Sequence, residues 1–246
     1  MVGRRWACET ALALSADHPR FRAKYPVFMN RYAIPFEWFL REFSVVGRPL
    51  RVLEVGPGAG MMLRYAQTAL RILGIGYRQA VGAWKAMDIA PDRKALDPLG
   101  YDSIMEQDAE ALPPGYEDSF DLCLLLHVAE HFDNPESALS RLFALGSPSA
   151  MFVAGYPAHF HWLRKIREKK LRSRTNANGH VSALSDRRVK RIARDCGLSC
   201  LQSRANFFLR TSGSFLENLV VWHRFNLFWG RLFPFWYAEH TLVFER

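Results

Sequence analysis

The segment Glu54-Val-Gly56-Pro-Gly58-Ala-Gly60 holds the residues of this 246-residue chain best suited to chemistry. Glycine at alternate positions lets a backbone turn through positive φ and lets a ligand approach the peptide without meeting a Cβ. The spacing excludes two common uses of such turns. A GxGxxG dinucleotide turn needs glycine at position 61, where Met61 stands, and no Gly-Lys-Ser or Gly-Lys-Thr of a phosphate-binding loop occurs. Glu54 precedes the first glycine by two residues, which disfavours a pyrophosphate and suits a ligand carrying ammonium or sulfonium charge. A second set of candidates is histidine. His127, His131, His159, His161 and His180 offer general bases for a nucleophile that must lose a proton. His127-Val-Ala-Glu130-His131 spells the inverted zinc-peptidase motif, which needs both histidines on one face of a continuous helix. Here the letters follow an apolar strand and precede Asp133-Asn-Pro135, so no metal is expected.

The elements around these residues alternate. Arg51–Val55 reads as a short buried strand, the glycines as a turn, and Met61–Leu73 as a helix. Strands follow at Trp84–Ile89, Ser103–Gln107, Phe120–Leu126 and Ala150–Tyr156, with helices at Asp92–Leu99 and Pro135–Leu145. A basic helix at about 160–172, a polar loop at Ser173–Gly179, a helix at Ser185–Cys196 and terminal strands near 199–206 and 240–245 complete the pattern. Before it, the aromatic residues of 18–46 suggest one or two helices interrupted at Pro26 and Pro35. Alternating strands and helices imply an α/β fold with a mostly parallel sheet of seven strands, helices on both faces and an added cap. The expected division is a helical cap at 1–49 and a domain at 50–246 carrying a basic insertion at 157–184 and an aromatic-rich segment at 207–238.

Charge is uneven. The total is +9, yet residues 160–194 hold 12 Lys/Arg against 2 Asp/Glu, while residues 51–150 hold 8 against 14. The glycine-turn half therefore suits a cationic ligand, and the basic excess speaks for whatever the cap meets. Four cysteines show no CxxC and no zinc spacing, Cys123 reads as a buried thiol, and a reducing cytosol is the expected compartment. No secretory pattern and no apolar run of membrane-spanning length stand out.

Four motifs in order resemble the class I S-adenosylmethionine-dependent methyltransferases, specifically the UbiE/UbiG-like (type 11) group. Val52–Gly60 looks like the first motif, Ala86-Met-Asp-Ile-Ala-Pro91 the second-strand acid, Gln107-Asp-Ala-Glu-Ala-Leu-Pro113 the third, and Ser119–His131 the fourth. The match is strong over about residues 50–156 and looser over 179–246, and Gly74–Ala83 lengthens the first crossover. The resemblance implies a Rossmann-like methyltransferase fold and S-adenosylmethionine as cofactor. Gly56, Gly58 and Gly60 would border its methionine half, with Glu54 near the amino group. Asp88 and Ile89 would serve the ribose end, Asp108 and the Ala109 backbone the adenine amine, and Leu126 and His127 the methyl end. The competing structural readings are Glu54 as a strand-end salt bridge, Asp88 as a helix N-cap and Asp108 as a turn cap, each less favoured than the cofactor role.

Methyl transfer from a sulfonium needs mainly proximity and orientation, so the motifs do not name a base. His127, at the sheet's carboxyl edge, and His180, in Gly179-His-Val-Ser, are the two catalytic candidates. The expected acceptor is a small molecule, a glycan or a lipid-linked intermediate, anionic in keeping with the basic cap, with O-methylation favoured. The aromatic and basic run Phe215–Tyr237 carries charges that forbid spanning a bilayer but allow peripheral contact. Basic and aromatic surface also suits single-stranded nucleic acid, though no appended RNA-binding module is visible. The alternatives are an RNA methyltransferase and a cofactor-binding module without catalysis.

Overall fold

The computed structural model describes residues 5–17, 22–112, 120–158, 166, 180–234, 236 and 239–246. The chain opens with α1 (Arg5–Asp17) and, after a 3-10 turn at Val27–Met29, α2 (Asn30–Val46). β1 (Leu50–Val55) leads through the glycine turn into α3 (Met61–Ile72), short α4 (Tyr77–Ala80), β2 (Val81–Asp88), short α5 (Arg93–Leu96) and β3 (Ser103–Glu106). Then come β4 (Phe120–Leu126), α6 (Pro135–Ala144), β5 (Gly146–Pro157), α7 (Asp186–Asp195), β6 (Ser199–Ala205), α8 (Val220–Leu232) and β7 (Glu239–Glu245). The seven strands form one sheet in the order β3-β2-β1-β4-β5-β7-β6. β7 alone runs antiparallel, between β5 and β6. This is the mostly parallel, Rossmann-like α/β sheet that the alternation of strands and helices predicts, and the arrangement that the methyltransferase resemblance implies.

Alternation along the strands makes two cores. Val52, Leu122, Leu124, Val153 and Val243 face α1, α2 and α3. Their neighbours Leu53, Cys123, Leu125, Phe152 and Phe244 face α6 and α7. Successive side chains of a strand point to opposite faces, so near-continuous apolar runs serve helices on both sides. α7 is anchored to α6 by Arg188, whose Nε and Nη2 each donate to the Glu136 carboxylate at 2.7 Å.

Several expectations shift. Pro26 stands at the start of the 3-10 turn as its N-cap, and Pro35 lies buried inside α2 and does not interrupt it. It removes only the N–H that would have bonded the carbonyl of residue 31, one turn from the helix start. β2 begins at Val81, three residues before its expected start, and ends at Asp88, and β3 stops at Glu106. The long first crossover is accounted for by a left-handed Gly74 and the single turn of α4. Parallel register then pairs Val55 with Met87, so Asp88 emerges one step past the end of β1. The basic segment 160–179 lies outside the described residues except for Ile166, and so do His159 and His161. Among the described residues, no helix is long and apolar enough to cross a membrane.

Candidate active site at the carboxyl edge of the sheet

Two strand ends and a turn define the cleft. Gly56 N–H donates to the Met87 carbonyl at 2.8 Å, which ties the glycine turn to the end of β2. Gly56 has φ 63°, and a Cβ there would stand 2.2 Å from Val128 Cγ2, so both conformation and packing require glycine. Gly58 has φ 54° but nothing within 4 Å of a Cβ, so its missing side chain opens space over the turn. A cavity of about 360 Å³ opens beside it. Gly56, Gly58, Asp88, Ile89, Asp108, Ala109 and His127 all line this cavity, bringing seven of the expected site residues together. A second cavity of about 220 Å³ shares Gly56, Gly58 and His127 and adds Glu54, Arg31 and Tyr32. Gly60 lines neither; it is the left-handed N-cap of α3 beneath Leu99.

The acids differ in employment. Glu54 is buried, and its Oε2 accepts 2.9 Å hydrogen bonds from Trp84 Nε1 and Tyr101 Oη. Burial pushes its pKa up to about 7, and those two neutral donors offset the shift only in part. Asp88 Oδ1 accepts from Ala90 N–H at 3.0 Å, and the cap of α5 is Asp92 instead. Asp108 Oδ1 accepts from Glu110 N–H at 2.8 Å, capping the turn at Ala109–Ala111. Ile89 projects an apolar side chain into solvent at the cavity rim, 66% exposed. An aromatic ring laid on the rim would cover it.

His127 follows β4 in the left-handed region, at φ 60°, a conformation that costs roughly 1–2 kcal/mol for a residue with a Cβ. Its N–H donates to Gly155 at 2.7 Å, and two carboxylates hold its ring. Nδ1 is 3.2 Å from Glu130 Oε1, and Nε2 is 3.0 Å from Glu239 Oε1, close enough for charge pairing though not aligned for a hydrogen bond. Burial lowers the imidazole pKa, but Glu130 and Glu239 outweigh it and the net shift is upward. Glu239 is itself gripped by both ends of the Arg31 guanidinium and by Asn206 Nδ2 at 2.8 Å. Burial would raise Glu239; His127, Arg31 and Asn206 bring it down to about 2.

His180 lines neither cavity; its Nε2 stands 4.0 Å from Glu130 Oε1. The H-x-x-E-H letters fold as a 3-10 turn at Ala129–His131, so the continuous helix of that motif is not formed. Arg31, Tyr32, Glu130 and Glu239 are site residues the sequence did not single out. Only Glu130 had a signal, through that motif; the others join the site from α2 and β7.

A methyltransferase-domain family model matches residues 27–203, and the chain belongs to that family. No curated protein matches the chain significantly in sequence. Among solved structures, the plantazolicin methyltransferase BamL, crystallised with a triazolic desmethylPZN analog and SAH, is 13% identical. The alignment covers 98% of this chain and 96% of that one, with a TM-score of 0.55. The 1,6-didemethyltoxoflavin-N1-methyltransferase of Burkholderia thailandensis, with 1,6-didemethyltoxoflavin and S-adenosylhomocysteine bound, is 14% identical over 99% and 88% of the two chains, TM-score 0.55. The magnesium protoporphyrin IX methyltransferase of Synechocystis PCC 6803, with SAM bound, is 15% identical over 90% and 82%, TM-score 0.51. These likenesses are of fold.

Proposed function

We propose that this chain is a methyltransferase of the UbiE/UbiG-like kind that uses S-adenosylmethionine to methylate a small-molecule or lipid-linked acceptor, at oxygen. Glu54 carries the reading: a buried carboxylate at a cavity wall, held by neutral donors, has the chemistry to receive an ammonium group. Asp88 has oxygens for the ribose hydroxyls, and Asp108 with the Ala109 backbone for the adenine amine, while Gly58 leaves the turn open to close approach. The bound cofactor supplies a methyl group already activated on a sulfonium. The chain's own part is orientation and exclusion of water. Tyr32, Met62 and Leu126 line the second cavity together with Glu54 and His127, and on this reading the acceptor enters there. Both ring nitrogens of His127 face carboxylates, so its role here is to fix that wall, and the acceptor oxygen is one ionised near neutral pH without its help.

α8 favours a lipid-linked acceptor. His223, Asn226, Leu227 and Gly230 are buried, while Val221, Arg224, Phe225, Phe228, Arg231 and Leu232 form an exposed stripe at helical spacing. Apolar and arginine side chains without an acid on the helix suit an anionic membrane surface. The test is label transfer from S-adenosylmethionine into fractionated host extract, beside calorimetry with the same ligand. Label in lipid or small-molecule fractions is expected; label in RNA would favour the nucleic-acid alternative, and binding without transfer the non-catalytic module. Sedimentation with anionic vesicles at low salt, lost in Phe228→Ser, is the corresponding check on α8.

A further inference from the structure

Glu130, His131 and His180 belong to no step above. We propose that they form a binding site for a divalent transition-metal cation of the zinc class. One carboxylate oxygen and one nitrogen from each imidazole lie within 4.8 Å of one another. Two imidazoles and one carboxylate are a donor set for borderline cations such as Zn(II) or Co(II), and three protein ligands leave one position open.

The cluster is built, not a chance meeting on a surface. Val181 and Ser182 N–H both donate to the Glu130 carbonyl at 3.0 Å, and Ser182 Oγ donates to the Phe132 carbonyl at 2.7 Å. These bonds fasten the chain after His180 onto the turn that carries Glu130 and His131, fifty positions earlier. The two imidazole rings meet edge to face, with centroids 4.9 Å apart. Glu130 supplies the independent sign of a missing ligand. It is 1% exposed; Oε1 is 3.2 Å from His127 Nδ1 and 4.0 Å from His180 Nε2, while Oε2 is buried and has no hydrogen-bond partner. A buried carboxylate oxygen left unsatisfied is costly, and a cation satisfies it.

His127 then acts from behind. By holding Oε1 it orients the carboxylate, the part played by outer-shell partners of metal ligands. So the H-x-x-E-H letters contribute Glu130 and His131, with His180 in place of the motif's first histidine. Ligand atoms of a tetrahedral zinc site stand about 3.3 Å apart, given bonds of roughly 2.0–2.1 Å. The present separations, up to 4.8 Å with His180 Nε2 4.0 Å from Glu130 Oε1, require the two imidazoles and the carboxylate to draw together as the cation binds. Because His131 also lines the larger cavity, a cation here would sit at the rim of the cleft. The inference stands apart from methyl transfer, since it rests on the ligand cluster alone.

The experiment is titration of the chelator-stripped full chain with Co(II), read by visible d–d absorption, with and without S-adenosylmethionine. One equivalent per chain, displaced by Zn(II), is expected, with affinity at least tenfold weaker in His131→Ala and in His180→Ala. Cys200→Ser, which alters an exposed thiol elsewhere, should bind as the parent does. His131 is exposed, so its variant folds, and near-ultraviolet circular dichroism checks this. Absence of stoichiometric Co(II) at 0.1 mM, on the order of a weak adventitious site, would overturn the proposal. So would binding that survives both histidine variants. Binding unaffected by S-adenosylmethionine supports the site even if that ligand itself fails to bind.

Discussion

Glu54 lines the smaller cavity and Glu239 stands behind its Arg31 and His127 walls; both carboxylates are buried, 3% and 5% exposed, yet one is raised to about 7 and the other lowered to about 2. Burial pushes both upward. The difference is partners: Glu239 has the Arg31 guanidinium, the His127 imidazole and the Asn206 amide, while Glu54 has an indole N–H and a phenol. A carboxylate that carries its own cations is architecture, already neutralised when the chain folds. One buried without a cation is costly in its charged form and gains most from a cation that arrives with a ligand. On the proposed reading, Glu239 helps to build the cleft and Glu54 is the carboxylate left to answer a cationic ligand.

The largest effect should come from breaking the built pair. Glu239→Ala strands Arg31 and His127 in a buried site, and removal of one partner of such a pair costs roughly 3–5 kcal/mol. For a chain of this length that corresponds to a fall in Tm of roughly 6–20 °C. A differential scanning measurement showing a drop under 2 °C, on the order of an ordinary surface substitution, would mean the cluster is not architectural.

Glu54→Gln should do the opposite to the unliganded chain. The native carboxylate binds its proton more tightly than the unfolded one, so its contribution is fully present below about pH 4.5 and is lost as pH rises through about 7. At about 1.4 kcal/mol per pKa unit, the wild type should lose roughly 3 kcal/mol relative to the glutamine variant across that window. Parallel unfolding curves at pH 5 and pH 8 give the difference directly. If wild type and variant keep a constant gap, the burial of Glu54 is not what raises it.

The same variant should bind S-adenosylmethionine roughly 10- to 100-fold more weakly at pH 7.5, the worth of a charge-assisted hydrogen bond. Wild-type affinity should rise roughly tenfold between pH 6 and 7.5 as Glu54 ionises, and the variant's should stay flat. Calorimetry across that range decides it. A pH-dependent glutamine variant would place the titrating group elsewhere.

What the sequence revealed about this site follows from distance along the chain. Glu54, Gly56 and Gly58 are contiguous, and each remaining donor-side residue stands at the end of its own strand or opens the turn after it, so local pattern was enough to find them. Arg31 meets Glu239 across 208 residues, and no periodicity encodes that meeting. The strands were legible because buried apolar runs are continuous; the start of β2 was not, because Gly82 and Ala83 carry too little side chain to mark a strand. His127 was found for its place after β4, but its function as a ring held between Glu130 and Glu239 needed the fold. His180, the other catalytic candidate, stands beside Glu130 and His131, a meeting across fifty residues that no local pattern encodes.

The smallest and most diagnostic change is Tyr101→Phe. Tyr101 Oη shares Glu54 Oε2 with Trp84 Nε1, both at 2.9 Å, so the substitution removes one of two neutral donors and leaves the cavity wall otherwise intact. A hydrogen bond to the charged form lowers a carboxylate's pKa, so its loss raises Glu54 further. A net contribution of about 1 kcal/mol corresponds to somewhat less than one pKa unit. The midpoint of S-adenosylmethionine binding should therefore move upward by that amount. Affinity at pH 6.5 should fall roughly fivefold, about the full ratio for that shift, and at pH 7.5 by less. Equal affinity to wild type at every pH would show that ionisation of Glu54 does not gate the cofactor. The two carboxylates would then differ in their partners without differing in what they do.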